Sequence, residues 1–493
     1  MKKLWGDEHM KYKQGEYREQ LTIEPLCLDD YIPQNSICRI IAAFVGSLDL
    51  LAMGFKYAET KGNGRPPYNP AAMLMLYIYG YLNRIRSSRR LEAETHRNIE
   101  VMWLMEKLTP DDKTVSNFRK DNAKSLKKVF RQFSLWCNEQ DLYGRELVAV
   151  DGSKFRANAN RRSIHTQKGT AKKLAEVEKK ISEYMNELER NDKAEADEAK
   201  LDTARISEVL KHLNEKKETL QEWLKKIDGN DGKEISVVDP DAHLMHTNGD
   251  GRSLDACYNV QIVVDEKHKL IVDFDVSTCP DDKGALVTMT ESAKEIMGVD
   301  EISATGDKGY YDGEDIEKCE QNGTTCYISA VTDYKPAPNE SYNKSKFRYD
   351  AQNDCYICPE NQELSLVKTR KENNEIIRKE YQNRKACKSC QNRHLCTTAK
   401  TGRTIIRAAH QNTLDIVNTR MKTVEGYTTF CERKKIVEHP FGTAKAVWGY
   451  KQFLCRGHEK TIGEASLVFL AYNLRRVFNI FKENGRNLAV VMA

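Results

Sequence analysis

The stretch ELVAVDGSKF at positions 146–155 decides the reading of this chain. Its four consecutive apolar residues, two of them valines, favour an extended strand, and the run closes on Asp151, followed at once by Gly152 and Lys154. ISATGDKGYYD at 302–312 repeats the shape, with a short run closing on Asp307 and then Lys308. Between and after them, YNVQIVV (258–264), KLIVDFDVS (269–277) and TTCYISAV (324–331) read as further strands. GALVTMTESAKEIM (284–297) has helical spacing.

Strand, strand, strand, helix, strand is the order of a mixed α/β sheet with an RNase H-like layout, in which strand ends present carboxylates at one rim. A third acid, Glu438, lies in the basic stretch ERKKIVEHPFGTAK (432–445), which reads as a helix that bends or restarts at Pro440. Asp151, Asp307 and Glu438 are the candidate catalytic acids, and Asp282 is the strongest auxiliary. Phosphoryl transfer at DNA needs an activated attacking oxygen, a stabilised leaving oxygen and neutralised phosphate charge, which two Mg2+ or Mn2+ ions supply. Mg2+ keeps several waters, so three carboxylates from separate elements suffice to hold such ions. Lysines and arginines beside the acids suit phosphate: Lys154, Arg156, Lys308, Lys434 and Lys445 are candidate DNA contacts.

A chain of 493 residues is too long for one small core. Residues 1–140 read as a helical N-terminal DNA-binding domain, and 141–493 as the catalytic domain with two insertions. In the first part, LTPDDKTVSNFRKDN (108–122) has Thr109 placed to cap a helix, Pro110 at its first position, and Arg119 and Lys120 on its polar side as candidate DNA contacts. The first insertion, about 165–232, places apolar residues at three-and-four spacing from Leu174 to Leu188 and from Ile206 to Ile227, predicting an antiparallel helical hairpin. The second, about 335–425, holds DCYICPEN and RKACKSCQNRHLC. Cys355, Cys358, Cys387 and Cys390 form two C-x2-C pairs suited to a structural, tetrahedral zinc site, with Cys396 or His394 as an alternative ligand.

The charge balance is slight, with 78 Lys+Arg against 73 Asp+Glu, so affinity for nucleic acid must come from local patches. The longest apolar run, 37–55, is broken by Arg39 and Asp49, which argues against a membrane span, and no apolar stretch follows the first lysines as a signal peptide requires. A cytoplasmic setting with reduced cysteines is the expectation.

At these residues the chain resembles the bacterial insertion-sequence DDE transposases. The pieces that carry the likeness are VAVDGSKFRANAN (148–160), DPDAHLMHTNGDGRSLDACYNVQIVVD (239–265), ATGDKGYYDGEDI (304–316), the stretch 433–478 from RKKIVEHPFGTAK to YNLRRVF, and the helical 68–94 and 109–122. The resemblance implies binding of double-stranded DNA at terminal inverted repeats, by a homodimer on the DNA, then metal-dependent strand cleavage and attack of the freed 3′-OH on target DNA. It assigns the acidic triad to Asp151, Asp307 and Glu438. Relatives carry a Tyr, Arg, Glu, Lys signature around the last acid; here Lys445 fits the lysine, whereas Cys431 and Lys434 stand at the Tyr and Arg positions, with Arg433 adjacent. An inactive or domesticated zinc-containing DNA-binding protein, and a nuclease without strand transfer, are the alternatives.

Overall fold

The computed structural model describes residues 27–59, 66–191, 197–229, 234–247, 253–330, 337–372 and 375–485. It opens with helices: α1 (Ile37–Gly46), α2 (Pro70–Leu82), α3 (Ser88–Arg97), α4 (Ile99–Leu104), α5 (Asp112–Asp121) and α6 (Ala123–Glu139). The cap of α5 is Asp111, whose carboxylate accepts from the Thr114 amide at 2.6 Å, and not Thr109 as the sequence suggested. A carboxylate at that position also suits the positive end of the helix dipole.

The central sheet is mixed. Its strands are β1 (Leu147–Arg156), β4 (His243–His246), β5 (Leu254–Asp265), β6 (Ile271–Ser277), β7 (Ile302–Gly306) and β8 (Thr324–Ile328), in the order β4-β5-β1-β7-β8 with β6 also paired to β5. Pairing is antiparallel among β1, β5 and β6 and parallel from β1 through β7 to β8. The parallel crossovers run through α9 (Ala285–Met297) and α10 (Gly313–Gln321). The short strands β2 (Ile164–Thr166) and β3 (Glu234–Ser236) pair at the root of an antiparallel hairpin made of α7 (Gln167–Asn191) and α8 (Asp197–Asp228). Gln167 reaches Asp228 at one end of this hairpin, and Lys217 pairs with Glu178 along it.

The last helix ties the first helices to the sheet. α15 (His458–Glu483) is buried along most of its length, because its apolar residues surround it instead of forming one stripe. Asn473 on α15 both accepts from the Ile271 amide and donates to its carbonyl, at 2.9 and 2.7 Å, anchoring the helix to β6. Fully buried Glu464 accepts from the Leu454 and Cys455 amides and lies 3.6 Å from Arg86. Tyr450 donates to the Tyr81 carbonyl, so one continuous apolar core runs from α1 to α15.

Between β8 and the end of the chain lies a second sheet that the sequence reading did not anticipate. β9 (Arg348–Asp350), β10 (Cys355–Ile357), β11 (Glu363–Glu372), β12 (Glu375–Gln382) and β13 (Thr404–Ala408) pair antiparallel in the order β13-β12-β11-β10-β9, with α11 (Arg384–Ser389) and α12 (Arg393–Cys396) before the last strand. It has its own small core of Phe347, Tyr356, Leu364, Tyr381 and Ile405. The chain returns through α13 (Gln411–Arg420) to α14 (Val424–Phe441), which packs on β1, β7 and β8. Pro440 does not break α14; the helix runs one residue past it and continues into a π-helical turn at Gly442–Val447. Proline has no N–H to donate to the carbonyl four residues back, so α14 forgoes one helical hydrogen bond there, and the widened π-helical turn follows directly.

Candidate active site

β1 and β7 run parallel with Ala149 opposite Thr305, so two residues further on Asp151 and Asp307 come side by side at the sheet rim, on the same face. Asp307 caps the turn after β7, its Oδ1 accepting from the Gly309 amide at 2.7 Å. Asp151 is mostly buried, and its carboxyl is pushed up to about 6: burial is the largest cause, Arg433 opposes it, and the charges of Asp307 and Asp282 add to it. The shift therefore reports first the burial of this carboxylate, and only secondarily its acidic neighbours.

Asp282 joins this rim from the loop before α9. Its Oδ1 accepts from Asn259 Nδ2 at 2.8 Å and Gln261 Nε2 at 2.7 Å, and Lys154 Nζ stands 3.5 Å away. Gln261 in turn accepts from the buried Tyr310 hydroxyl. Two glycines make room for these carboxylates. A Cβ on Gly152 would fall 3.0 Å from Asp282 Oδ1, and one on Gly309 would fall 2.9 Å from Asp307 Oδ1 and 3.1 Å from Asp282 Oδ2. Both Asp282 and Asp307 thus converge on the space above Gly309.

α14 brings a cation, not an acid, to Asp151: Arg433 Nη1 lies 4.0 Å from Asp151 Oδ1, with only 16% of its side chain exposed. Glu438 is exposed, and its side chain makes no hydrogen bond or ion pair among the described residues. On a regular helix it lies about 140° around the axis from Arg433. Lys445 is held against β1, donating to Ser153 Oγ and to the Lys154 carbonyl, both at 2.6 Å, with Nζ 4.2 Å from the Phe155 ring. Burial brings its ammonium down to about 8, against the attraction of Asp151.

The other candidates for DNA contact divide by exposure. Lys120, Lys308 and Lys434 are exposed, and exposed Arg156 lines a polar cleft with Arg161, Arg456, Asn158 and Gln452. Arg119 is not available to DNA: it is 7% exposed and donates to the Tyr81 hydroxyl and the Arg86 carbonyl, because its position on α5 faces α2 and not solvent. Sequence reading missed Asn259, Gln261 and Tyr310. Their signal was two amides at alternate positions of the otherwise apolar β5, which places both on one face.

The cysteines also separate. Cys358, Cys387, Cys390 and Cys396 line a single cavity, whereas Cys355 is buried elsewhere. Cys355 opens β10 with its side chain buried, whereas Cys358 lies in the turn after that strand. His394 is exposed and bonded to the Gln391 carbonyl, away from the cavity lining. Among the described residues, no three His, Cys, Asp or Glu groups already converge tightly enough to hold a metal ion. Nor is any described helix long and apolar enough to cross a membrane.

Two family models match the chain, one described as transposase domain (DUF772) over residues 26–121 and one as transposase DDE domain over 357–478. No curated protein and no solved structure matches it. The two matches, in this order along one chain, support an insertion-sequence DDE transposase.

Proposed function

We propose that this chain is a DDE transposase that cleaves DNA strands at the terminal inverted repeats of an insertion sequence and transfers them to target DNA, with an RNase H-like sheet carrying the site. The observation that supports it most is the juxtaposition of Asp151 and Asp307 on adjacent parallel strands, beside Asp282, in a transposase family chain.

The donor set fits divalent cations. Three carboxylates crowd one rim, one of them with its acidity weakened by burial and by the others, and hard oxygen ligands of this kind are what Mg2+ or Mn2+ takes. Asp151 and Asp307 would hold the ions, and Asp282 stands ready beside them with one oxygen already fixed by Asn259, Gln261 and Lys154. Two bound ions would supply the activation of the attacking oxygen and the stabilisation of the leaving one. Glu438 is the third acid of the family pattern; it is exposed on α14, whose face toward the sheet carries Arg433 with the buried Ile436, Val437 and Phe441.

The remaining residues bind and orient. Gln261, fixed by Tyr310, holds Asp282 in one orientation. Lys445 braces β1 beside Asp151 through Ser153. Arg156, Arg161 and Arg456 offer phosphate-binding cations along a cleft of about 470 Å3 that begins five residues down β1 from Asp151. A duplex lying from the rim along β1 meets both.

The test is incubation of the purified chain with a duplex bearing the element's inverted-repeat end, with Mg2+ or Mn2+, and a second DNA as target. Nicking followed by joining of the 3′-OH end to the target is the expected result. Nicking without joining indicates a nuclease, and no nicking with either metal would sink the enzymatic reading.

A further inference from the structure

We propose that Cys358, Cys387, Cys390 and Cys396 hold one structural zinc ion at the root of the second sheet, and that Cys355 takes no part. This inference does not depend on the catalytic reading, because its readout is metal content without DNA.

The cavity lined by these four thiols is about 30 Å3, the scale of a single small occupant. Its walls come from two segments far apart in sequence: the turn after β10, which carries Cys358, and the α11–α12 corner, which carries the other three. The turn has a form suited to a metal thiolate. Asn361 is left-handed at φ 56°, the Cys358 amide donates to the Gln362 carbonyl at 2.9 Å, and the Gln362 amide points back at Cys358 Sγ, 3.3 Å away. An amide aimed at sulfur stabilises a thiolate more than a thiol.

On the opposite wall, Gly402 has φ +92°, and a Cβ there would fall 2.6 Å from Cys387 Cβ and 3.0 Å from its Sγ. The loop has been brought as close to this sulfur as a backbone can come. Two cations complete the surroundings. Arg393 is fixed by the Ala399 and Lys400 carbonyls, and Arg403 has a buried Nε with no hydrogen-bond partner among the described residues. Four thiolates around Zn2+ carry a net charge of about −2, and two neighbouring guanidiniums offset it.

The sheet also has too little core to stand alone. Its core is five buried side chains, set against the conformational entropy of ordering five strands and two short helices. β11 has one buried position, and Leu366, Val367 and Ile406 are exposed. A metal clip between segments is how small units of this kind are stabilised. The sulfurs are not yet at ligand distance from a common point, so binding draws them inward across the cavity, each thiol releasing its proton to solvent.

The test is elemental analysis of the full-length protein grown with zinc, together with Cys355→Ser and Cys396→Ser, and the visible spectrum after Co2+ exchange. We expect about one zinc per chain in the wild type and in Cys355→Ser, and a tetrahedral cobalt spectrum with strong thiolate charge-transfer bands. Cys396→Ser is expected to lose the zinc; should it fail to fold, Cys396→His is expected to fold, keep the ion and lose about a quarter of the charge-transfer intensity. A zinc-free wild type, zinc lost from Cys355→Ser but kept by Cys396→Ser, or a disulfide among the four cysteines in freshly purified protein would overturn the proposal.

Discussion

The sheet rim and α14 face each other across the candidate site, yet they hold their acids in different ways. At the rim, Asp151 is placed by the pairing of β1 with β7, and Asp307 by the capped turn directly after β7. On α14 the face presented to Asp151 carries Arg433 beside the buried Ile436, Val437 and Phe441, while Glu438 points to solvent. On the proposed function, Asp151 and Asp307 are the part of the site already in place, and Glu438 is the part that is not.

Breaking the preset part should have the largest effect. Asp151→Asn or Asp307→Asn is expected to reduce strand cleavage by about a thousandfold or more, equivalent to the several kcal/mol that metal ions contribute to phosphoryl transfer. Gel-shift binding of the inverted-repeat duplex should stay within about twofold of wild type, since one carboxylate is removed and no phosphate-binding cation. Near-normal cleavage by either variant would take that residue out of the site. Glu438→Gln sharpens the comparison: cleavage should fall about as far, whereas Mn2+ binding by the DNA-free protein should not change.

Asp282→Asn is expected to sit between these, raising the Mg2+ concentration needed for half-maximal cleavage by about tenfold to a hundredfold, as outer ligands of metal sites do. Gly309→Ala pushes a methyl group against Asp282 and Asp307 and should shift the same midpoint in the same direction. An unchanged metal midpoint in both variants would separate Asp282 from the metal.

The smallest effect is on stability without metal. The folded-state pKa of Asp151, about 6, lies above its ordinary value of 3.8, so the folded protein holds this proton more tightly than the unfolded chain does. Stability from this group is therefore greatest at low pH, falls as pH rises from about 4 to 6, and stays reduced above that. Asp151→Asn should raise the metal-free melting temperature at pH 7.5 and leave it unchanged at pH 4; the gain is at most about 3 kcal/mol, less for screening of a side chain that is 21% exposed. A lower melting temperature at pH 7.5 would mean that Arg433 outweighs burial.

Much of the sheet was legible in the sequence, because strands in a buried sheet carry runs such as LVAV and QIVV that no surface loop tolerates. The helical hairpin was legible for the related reason that its apolar spacing is regular over about four turns in one helix and about six in the other. The second sheet was hidden. Its longest strand, β11, reads ELSLVKTRKE and is exposed at nearly every position, so neither an apolar run nor a clean alternation marks it. Paired cysteines were visible as a motif, but not which of them meet, since Cys355 reads like a ligand until β10 is known to be extended through it. Arg119 failed for want of helix phase: α5 shows several polar positions to solvent, and a single long cation reaching back to Tyr81 leaves no local trace. Arg433 and Glu438 differ by five residues on one helix, and sequence alone does not say which of them faces the rim.

The most direct test of the account is a Mn2+ titration of the DNA-free protein, followed by electron paramagnetic resonance of the free ion, for the wild type, Asp151→Asn, Asp307→Asn and Glu438→Gln. Wild type and Glu438→Gln are expected to bind Mn2+ alike, and each aspartate variant to bind it at least about tenfold more weakly. Equal binding by all four proteins would contradict the claim that Asp151 and Asp307 are the preset metal-holding pair.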